Sequence, residues 1–255
     1  METKYIPIRP EAGHLVHLTK KPENIRSILT EGFIYVFNPT TIHERLFSEL
    51  GITIPDIERG MISFSELSLD TQSEHTSHML SKFGQFGIAV DFNWALDNGL
   101  RRVAYIPDHG PIYDSLKTLL SKTIPQLDHI KNSTDPRGFN VIQKMLLSDP
   151  GVPDIFTDPL YSLVLDLLQW VETERNANEK EFRIRAPFTF GGISEIGKEQ
   201  QVAMSKALAK HSLVANTLPI GPERVLFVYC PQEYRKEIAS SLLDTKFKNT
   251  KVRCY

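Results

Sequence analysis

The order in which strand-like and helix-like segments follow one another constrains the fold of this chain more than any other feature. The segment EFRIR at 181–185 alternates polar and apolar residues, as a half-buried strand does. The segment PENIRSILTEG at 22–32 instead places Ile25, Ile28 and Leu29 on one stripe of a helix and ends at a glycine. The two kinds of segment mix irregularly, without a repeating βα unit. We therefore expect an α+β fold rather than a doubly wound sheet.

The predicted elements cover most of the chain. Predicted strands lie at 14–18, 33–37, 61–67, 86–92, 102–106, 181–185, 224–229 and 250–254. Predicted helices lie at 22–32, 40–50, 72–82, 93–99, 110–122, 158–174, 197–211 and 231–243. The region 124–157 is rich in proline and aspartate and gives no clear pattern. No repeat, low-complexity tract or linker divides the sequence, so we expect residues 1–255 to form a single domain.

Composition narrows the class of protein. The 255 residues carry a net charge of −2, and the pI is near 6.5, so the chain lacks the basic footprint of a protein that coats nucleic acid. A local basic patch stays compatible with a nucleic-acid substrate, for example if Lys20, Lys21, Arg101 and Arg102 line the mouth of one cleft. The two cysteines form neither a disulfide framework nor a CxxC metal motif. The first residues lack the apolar core of a signal peptide, and no stretch reaches 18 apolar residues, so we expect a soluble cytoplasmic protein.

Polar residues end the first predicted strand just before a helix begins. His17 lies near the strand end, Thr19 follows two residues later, and the helix starts soon after. A phosphate or a ribose hydroxyl is readily held at such a place, because helix N-termini present unpaired N–H groups. A structural histidine satisfied within the core is the alternative interpretation.

Two serines share one face of the strand MISFSEL at 61–67. Ser63 and Ser65 are two residues apart and point the same way, whereas Phe64 points to the other face. Two hydroxyls at a strand end are suited to holding a ligand. The alternative is a strand whose polar face lies in solvent.

Paired carboxylates occur in NEKEFRIR at 178–185. Glu179 and Glu181 are two residues apart, so a strand would aim both into the same space. Arg183 and Arg185 continue the polar face and would neutralise part of their charge. Such a pair suits chemistry at an anomeric carbon, where one carboxylate stabilises an oxocarbenium-like transition state and the other orients or deprotonates the nucleophile. The alternative is a solvated sheet face with Glu–Arg ion pairs.

Other catalytic and metal-binding motifs are missing. His75 and His78 have the i, i+3 spacing of metal ligands on a helix, but there is no HExxH or CxxC, and we expect no metal site. GxGxxG after a strand, GxxxxGK[ST] and GxSxG are also missing. The sequence therefore disfavours Rossmann dehydrogenases, P-loop enzymes and α/β-hydrolases.

Taken in order, these segments resemble a known family. HLTKKPENIRSILTEGF at 17–33 resembles the opening motif of the ADP-ribosyltransferase superfamily. GMISFSELSL and FGQFGIAVDFNWALDNGLRRVAYI resemble bacterial abortive-phage-infection proteins of the AbiGi type, with their positions filled by Phe83, Gly84, Phe86, Gly87, Ile88 and Trp94. EKEFR resembles that family's E-x-E-[WF]-R segment and the transferases' Glu-x-Glu. The resemblance covers roughly residues 14–106 and 178–186.

The resemblance implies a split α+β core of two small facing sheets, with NAD bound as the substrate in the cleft between them. It implies that His17 contacts the adenosine-side ribose and that Ser63, Phe64 and Ser65 line the nicotinamide end. Thr19 is the further candidate on the NAD-binding side, from its place at the strand end.

The same resemblance assigns the catalytic roles. Glu181 would hydrogen-bond the nicotinamide ribose and stabilise its cation, and Glu179 would help to activate the acceptor. The implied activity is that of a toxin or phage-defence mono-ADP-ribosyltransferase, acting on RNA, DNA or a protein. A non-catalytic antitoxin-like binding module of the same fold and a hydrolase that consumes NAD without an acceptor are the alternatives. An antitoxin protein is a further expected partner, and we expect no association with a membrane.

Overall fold

The computed structural model describes residues 14–36, 41–51, 60–68, 73–121, 167–185 and 217–255. Every structural statement below concerns these residues. The predicted helix at 197–211 and the region 124–157 lie outside them.

Eleven strands are present in the described ranges. They are β1 (His14–Thr19), β2 (Phe33–Ile34), β3 (Met61–Leu67), β4 (Phe86–Val90), β5 (Arg101–Arg102), β6 (Ala104–Ile106), β7 (Val171–Thr173), β8 (Glu181–Arg185), β9 (Thr217–Leu218), β10 (Val225–Cys230) and β11 (Val252–Cys254).

The helices alternate irregularly with the strands. They are α1 (Glu23–Glu31), α2 (Thr41–Glu49), α3 (Glu74–Phe83), α4 (Phe92–Asp97), α5 (111–121) and α6 (Arg235–Leu242). Three short 3-10 helices span Glu174–Glu179, Pro222–Arg224 and Gln232–Tyr234.

One seven-stranded sheet dominates the described structure, with the order β11-β10-β4-β1-β3-β8-β5. All its neighbours pair antiparallel except β10 and β11, which are parallel. Two small sheets accompany it, an antiparallel β2–β9 pair and a parallel β6–β7 pair. This mixture of helices and mainly antiparallel strands agrees with the expected α+β class.

Both faces of the large sheet are covered. Strand alternation sends Leu15, Phe64 and Phe182 to one face, where they form the main core with residues of α1, α4 and α6. Val16, Leu67, Ala89 and Phe227 point to the other face and pack beneath Met79 and Leu80 of α3. The position of α3 matters for the site, because its last residues overhang the part of this second face that is not filled by apolar side chains.

Strands β1 and β3 pair over only half of their length. Their ladder runs from His14–Leu67 to Val16–Ser65 and then stops. β1 goes on pairing with β4, and β3 goes on pairing with β8, so beyond Val16 each strand follows its other neighbour. At the far end of β3, Met61 pairs with Val36, which follows β2. The sheet is therefore open between residues 17–19 and residues 61–64.

Two predicted elements differ from the structure. The predicted helix at 158–174 extends too far: of its described part, residues 167–168 are helical, but Val171–Thr173 form strand β7 and pair with β6. The predicted strand at 102–106 is divided into β5 and β6, and at the break the Val103 N–H donates to the carbonyl of Glu181. In both cases the deciding contact is a backbone partner distant in sequence. Sequence periodicity carries no information about such partners.

None of the helices within the described ranges is long and apolar enough to cross a membrane.

Candidate functional site

A cleft of about 420 Å³ lies over the open part of the sheet. Strands β1, β3 and β8 form its floor, and the end of α3 and the segment before β8 form its walls. Five predicted site residues line it: His17, Ser63, Ser65, Glu179 and Glu181. Its volume is within the range of small-molecule sites.

The serines of β3 face the cleft through strand alternation, as predicted. Ser63 and Ser65 line the cleft, and Ser65 pairs in register with Glu181 of β8. Phe64 points the other way, is 1% exposed and belongs to the main core. Phe64 therefore supports the floor of the cleft from behind and does not line it.

Thr19 also lies outside the cleft lining. Its hydroxyl oxygen accepts a hydrogen bond of 2.7 Å from the side-chain amide of Asn24, in the first turn of α1. Thr19 is buried, and this contact joins the end of β1 to the helix that follows it.

His17 spans the opening between β1 and β3. Its Nδ1 donates to the carbonyl oxygen of Ser63 at 2.9 Å, since a carbonyl can only accept. Its ring meets those of Phe33 and Phe64 edge to face, with centroids 5.2 and 5.9 Å apart. Burial lowers the pKa of His17, although the bond to Ser63 acts in the opposite direction. The imidazole is therefore neutral at pH 7, with Nδ1 protonated and Nε2 an acceptor.

Glu181 forms a two-point ion pair with Arg183, two residues along β8. The Arg183 Nε donates to Oε1 at 2.9 Å and Nη2 donates to Oε2 at 2.6 Å. Both side chains point into the cleft wall, and both residues are less than a tenth exposed. Burial by itself would lower the pKa of Arg183, but the Glu181 carboxylate raises it overall. The guanidinium is therefore charged, and its two hydrogen bonds fix the orientation of the Glu181 side chain.

Glu172 is a third carboxylate at the cleft, and no sequence motif indicated it. Its oxygens accept from the Thr41 N–H at 3.1 and 3.2 Å and from the Thr173 N–H at 2.8 Å. One oxygen also lies 3.7 Å from Arg183 Nη2. Glu172 thus caps the start of α2 and lies within reach of the Arg183–Glu181 pair.

Glu179 reaches the cleft by a different route from the one predicted. It does not lie in the strand. It ends the 3-10 helix Glu174–Glu179, and Lys180 then adopts a left-handed conformation with φ of 43° before β8 begins. The expectation that strand alternation aims both carboxylates is therefore wrong for Glu179, although the turn brings it to the same cleft as Glu181.

Lys82 pairs with Glu179 across the cleft. The ammonium group of Lys82, in the last turn of α3, donates to Glu179 Oε1. The Glu179 side chain is 9% exposed and that of Lys82 is 43% exposed. Burial raises the pKa of Glu179 despite the opposing effect of Lys82. A carboxyl group with a raised pKa is a stronger base when it is ionised, as acid–base chemistry requires.

Tyr105 contacts the backbone at the start of β8. Its hydroxyl accepts from the Glu181 N–H at 2.8 Å, and burial raises its pKa to about 12. The phenol therefore keeps its proton at neutral pH. Sequence analysis missed Tyr105, Lys82 and Glu172, because none of them belongs to a spaced motif and each meets the site only through tertiary structure.

Two other sequence expectations concern residues away from the cleft. His75 donates through Nε2 to the Glu66 carbonyl at 3.1 Å, which occupies one of its ring nitrogens. In the described part of the chain, no group of three or more His, Cys, Asp and Glu side chains is arranged to hold a metal ion. The basic residues Lys20, Lys21, Arg101 and Arg102 are not among the described residues that line the cleft.

No protein-family model matches the chain, and neither a curated protein nor a solved structure shows significant similarity to it.

Proposed function

We propose that the protein is an NAD-dependent mono-ADP-ribosyltransferase of the toxin or phage-defence type. It would cleave NAD at the nicotinamide ribose and transfer ADP-ribose to an RNA, DNA or protein acceptor. The observation that carries the proposal is that two buried carboxylates, Glu179 and Glu181, face one cleft at the opening of the sheet. Surface ion pairs of the kind expected for a solvated sheet face would be exposed, and these carboxylates are not.

The charge of the cleft supports this chemistry. Three carboxylates line it, Glu172, Glu179 and Glu181, against the two cations Lys82 and Arg183. With all five groups ionised, the described lining is net negative. A positive charge that develops on the nicotinamide ribose would be stabilised there, and a dry site makes such stabilisation stronger than it is in water.

The proposed reaction breaks the C–N bond between the ribose and nicotinamide. The bonding electrons leave with nicotinamide, which departs as a neutral molecule, and the sugar becomes cationic at its anomeric carbon. Glu181, held in one orientation by Arg183, would stabilise that cation. Glu179 would accept the proton of the acceptor hydroxyl or amine as the new bond forms at the anomeric carbon.

We propose that the opening within the seven-stranded sheet corresponds to the split core that the resemblance implies. We propose that NAD lies across it, with the nicotinamide end over Ser63 and Ser65. His17, which bridges the two strands, would meet the adenosine-side ribose through Nε2, since Nδ1 is bonded to Ser63. The proposal places the protein in the cytoplasm, where NAD is available, and an antitoxin protein is the expected regulatory partner.

Nicotinamide release from NAD tests this proposal directly. We expect Glu181→Gln to lower release roughly 100-fold or more, because the side chain keeps its size but loses the charge that stabilises the cation. Glu174→Gln, an exposed residue of the neighbouring 3-10 helix, is the matched control and should leave release unchanged. Release by Glu181→Gln within about twofold of the unaltered protein would contradict the catalytic assignment.

The acceptor is tested with labelled NAD, an RNA or DNA pool and a cell lysate. Label in the nucleic acid or in the protein fraction would identify the acceptor class. Nicotinamide release without any labelled macromolecule would favour an NAD hydrolase.

One observation favours the non-catalytic alternative. Arg183 occupies both oxygens of Glu181, as a purely structural ion pair would. A binding module of the same fold would show no nicotinamide release, and Glu181→Gln would then change only its stability. Melting temperature and nicotinamide release measured on the same sample distinguish the two.

A further inference from the structure

The cleft has few groups that can meet an anionic ligand. Among the described residues that line it, Lys82 and Arg183 carry positive charge, and burial holds His17 neutral. NAD and other nucleotides carry phosphates, which need cationic or N–H partners. Both cations are paired with carboxylates, so a phosphate that takes a cationic partner in this cleft requires one of them to turn towards it.

Arg183 is not free to turn. Three of its nitrogens donate to Glu181 and to the Gln169 carbonyl, and its side chain is 4% exposed. Moving it would leave the Glu181 carboxylate buried without a partner, which is costly.

Lys82 is held less firmly than Arg183. Among the described residues its ammonium pairs with Glu179 and lies 5.1 Å from the centroid of the Phe83 ring. It stands on a flexible four-carbon stem, and its side chain is 43% exposed at the rim of the cleft. Leaving the pair costs the half-exposed Lys82 little, whereas the Glu179 carboxylate, 9% exposed, loses its cation. That cost falls once Glu179 takes up the proton of the acceptor. The diphosphate bridge of a nucleotide such as NAD carries two negative charges, against one on the carboxylate that it would replace.

We propose that Lys82 binds the phosphate groups of a nucleotide in the cleft and that, in doing so, it releases Glu179. The ligand class is a nucleoside diphosphate linked to a sugar, with ADP-ribose as its simplest form. The inference rests on the proposed function for the identity of the ligand. Lys82 would then select phosphorylated substrates, and phosphate binding would free the carboxylate that takes the acceptor proton. Burial already raises the pKa of Glu179, so the loss of Lys82 as partner would make it a stronger base.

Calorimetric titration with ADP-ribose and with adenosine tests this proposal. We expect Lys82→Gln to weaken ADP-ribose binding about tenfold and to leave adenosine binding unchanged, because adenosine carries no phosphate. Glu179→Gln should act in the opposite way and strengthen ADP-ribose binding, since it removes the anion that competes for Lys82. Opposite signs in the two variants would not arise if the pair were only structural. Lys82→Arg should retain most of the affinity.

Lys117 offers a matched control. It is also a half-exposed lysine paired with a glutamate, with its Nζ 2.7 Å from Glu49, but it lies away from the cleft. Lys117→Gln should leave ADP-ribose binding unchanged. Equal affinity in Lys82→Gln and in the unaltered protein would overturn the proposal, as would equal weakening by Lys82→Gln and Glu179→Gln. A loss of binding in a Lys20→Gln, Lys21→Gln double variant, with Lys82→Gln unaffected, would overturn it in favour of phosphates at the end of β1.

Two measurements distinguish the phosphate site at Lys82 from the transferase activity. ADP-ribose binding that depends on Lys82, without nicotinamide release from NAD, would contradict the transferase and leave the phosphate site established. Nicotinamide release from NAD, together with an ADP-ribose affinity that does not depend on Lys82, would contradict the phosphate site and leave the transferase activity supported.

Discussion

Arg183 is the residue on which the internal order of the cleft depends most. It lies buried between Glu181 and Glu172 and donates both to a carboxylate and to the Gln169 carbonyl. Removing one member of a buried ion pair is strongly destabilising, because the remaining charge stays buried without a partner. We expect Arg183→Met to lower the free energy of unfolding by about 3–5 kcal/mol in denaturant titrations.

The double variant Arg183→Met, Glu181→Met distinguishes the effect of an unpaired buried charge from the effect of altered side-chain packing. It removes both charges, so most of the stability lost in Arg183→Met should return. A single variant as stable as the unaltered protein would show that the Arg183–Glu181 pair is not formed in solution.

For single residues, the sequence predicted which side chains carry the chemistry better than it predicted the contacts between them. Alternation in β8 correctly predicted that Glu181 and Arg183 share a face, and that Arg183 neutralises carboxylate charge there. It could not indicate that Glu179 is aimed by a turn, because the left-handed Lys180 has no sequence signal. Lys82 lies 97 residues from Glu179, and such pairs become visible only in the folded chain.

Helix α3 is the element that closes the cleft, and its end is fixed by Gly84. Gly84 follows α3 with φ of 122°, a conformation that side chains rarely adopt, and a Cβ there would lie 2.2 Å from the Thr19 carbonyl oxygen. The end of α3, with Lys82, is therefore pressed against the end of β1. We expect Gly84→Ala to destabilise the protein by about 2–5 kcal/mol, through backbone strain and overpacking together.

Gly99 provides the control for backbone strain alone. It also has a positive φ, 84°, but no atom lies within 4 Å of the Cβ that alanine would add. Gly99→Ala should cost only the conformational term of about 1–2 kcal/mol. Thermal and denaturant unfolding of both variants measures the difference. Equal destabilisation by the two substitutions would show that α3 and β1 do not touch at Gly84.

Strands with a strong local sequence pattern were predicted best. β3 and β8 were predicted with the bounds that the structure gives them, because their alternation is strict and each has an apolar core face. β7 was missed because its three residues follow an apolar, helix-like run, and only pairing with β6 makes them extended. The opening between β1 and β3 was not predictable from either strand, since it depends on which neighbour each strand follows.

At the scale of the whole molecule, stability depends on how many buried groups must change charge as the pH changes. Burial lowers the pKa of His17 below its ordinary value of 6.5, so the folded protein holds it neutral. The unfolded chain takes up that proton more readily, and acidification through this range therefore favours unfolding. Glu179 has the opposite sign, because its raised pKa makes protonation favour the folded state.

We therefore expect His17 to make the protein less stable as the pH falls from 7.5 to 5.5, and we expect His17→Gln to remove that part of the pH dependence. Glutamine is neutral throughout this range and keeps a donor for the Ser63 carbonyl, so other titrating groups are left unchanged. Denaturant unfolding of both proteins at the two pH values gives the four free energies that are needed.

His78→Gln is the control, because His78 is exposed on α3 and its substitution should leave the pH dependence as it is. The same loss on acidification in His17→Gln and in the unaltered protein would show that the folded state does not hold His17 neutral. His17 would then be wet and chargeable at the opening of the sheet, and its contact with a ribose through a neutral Nε2 would have to be abandoned.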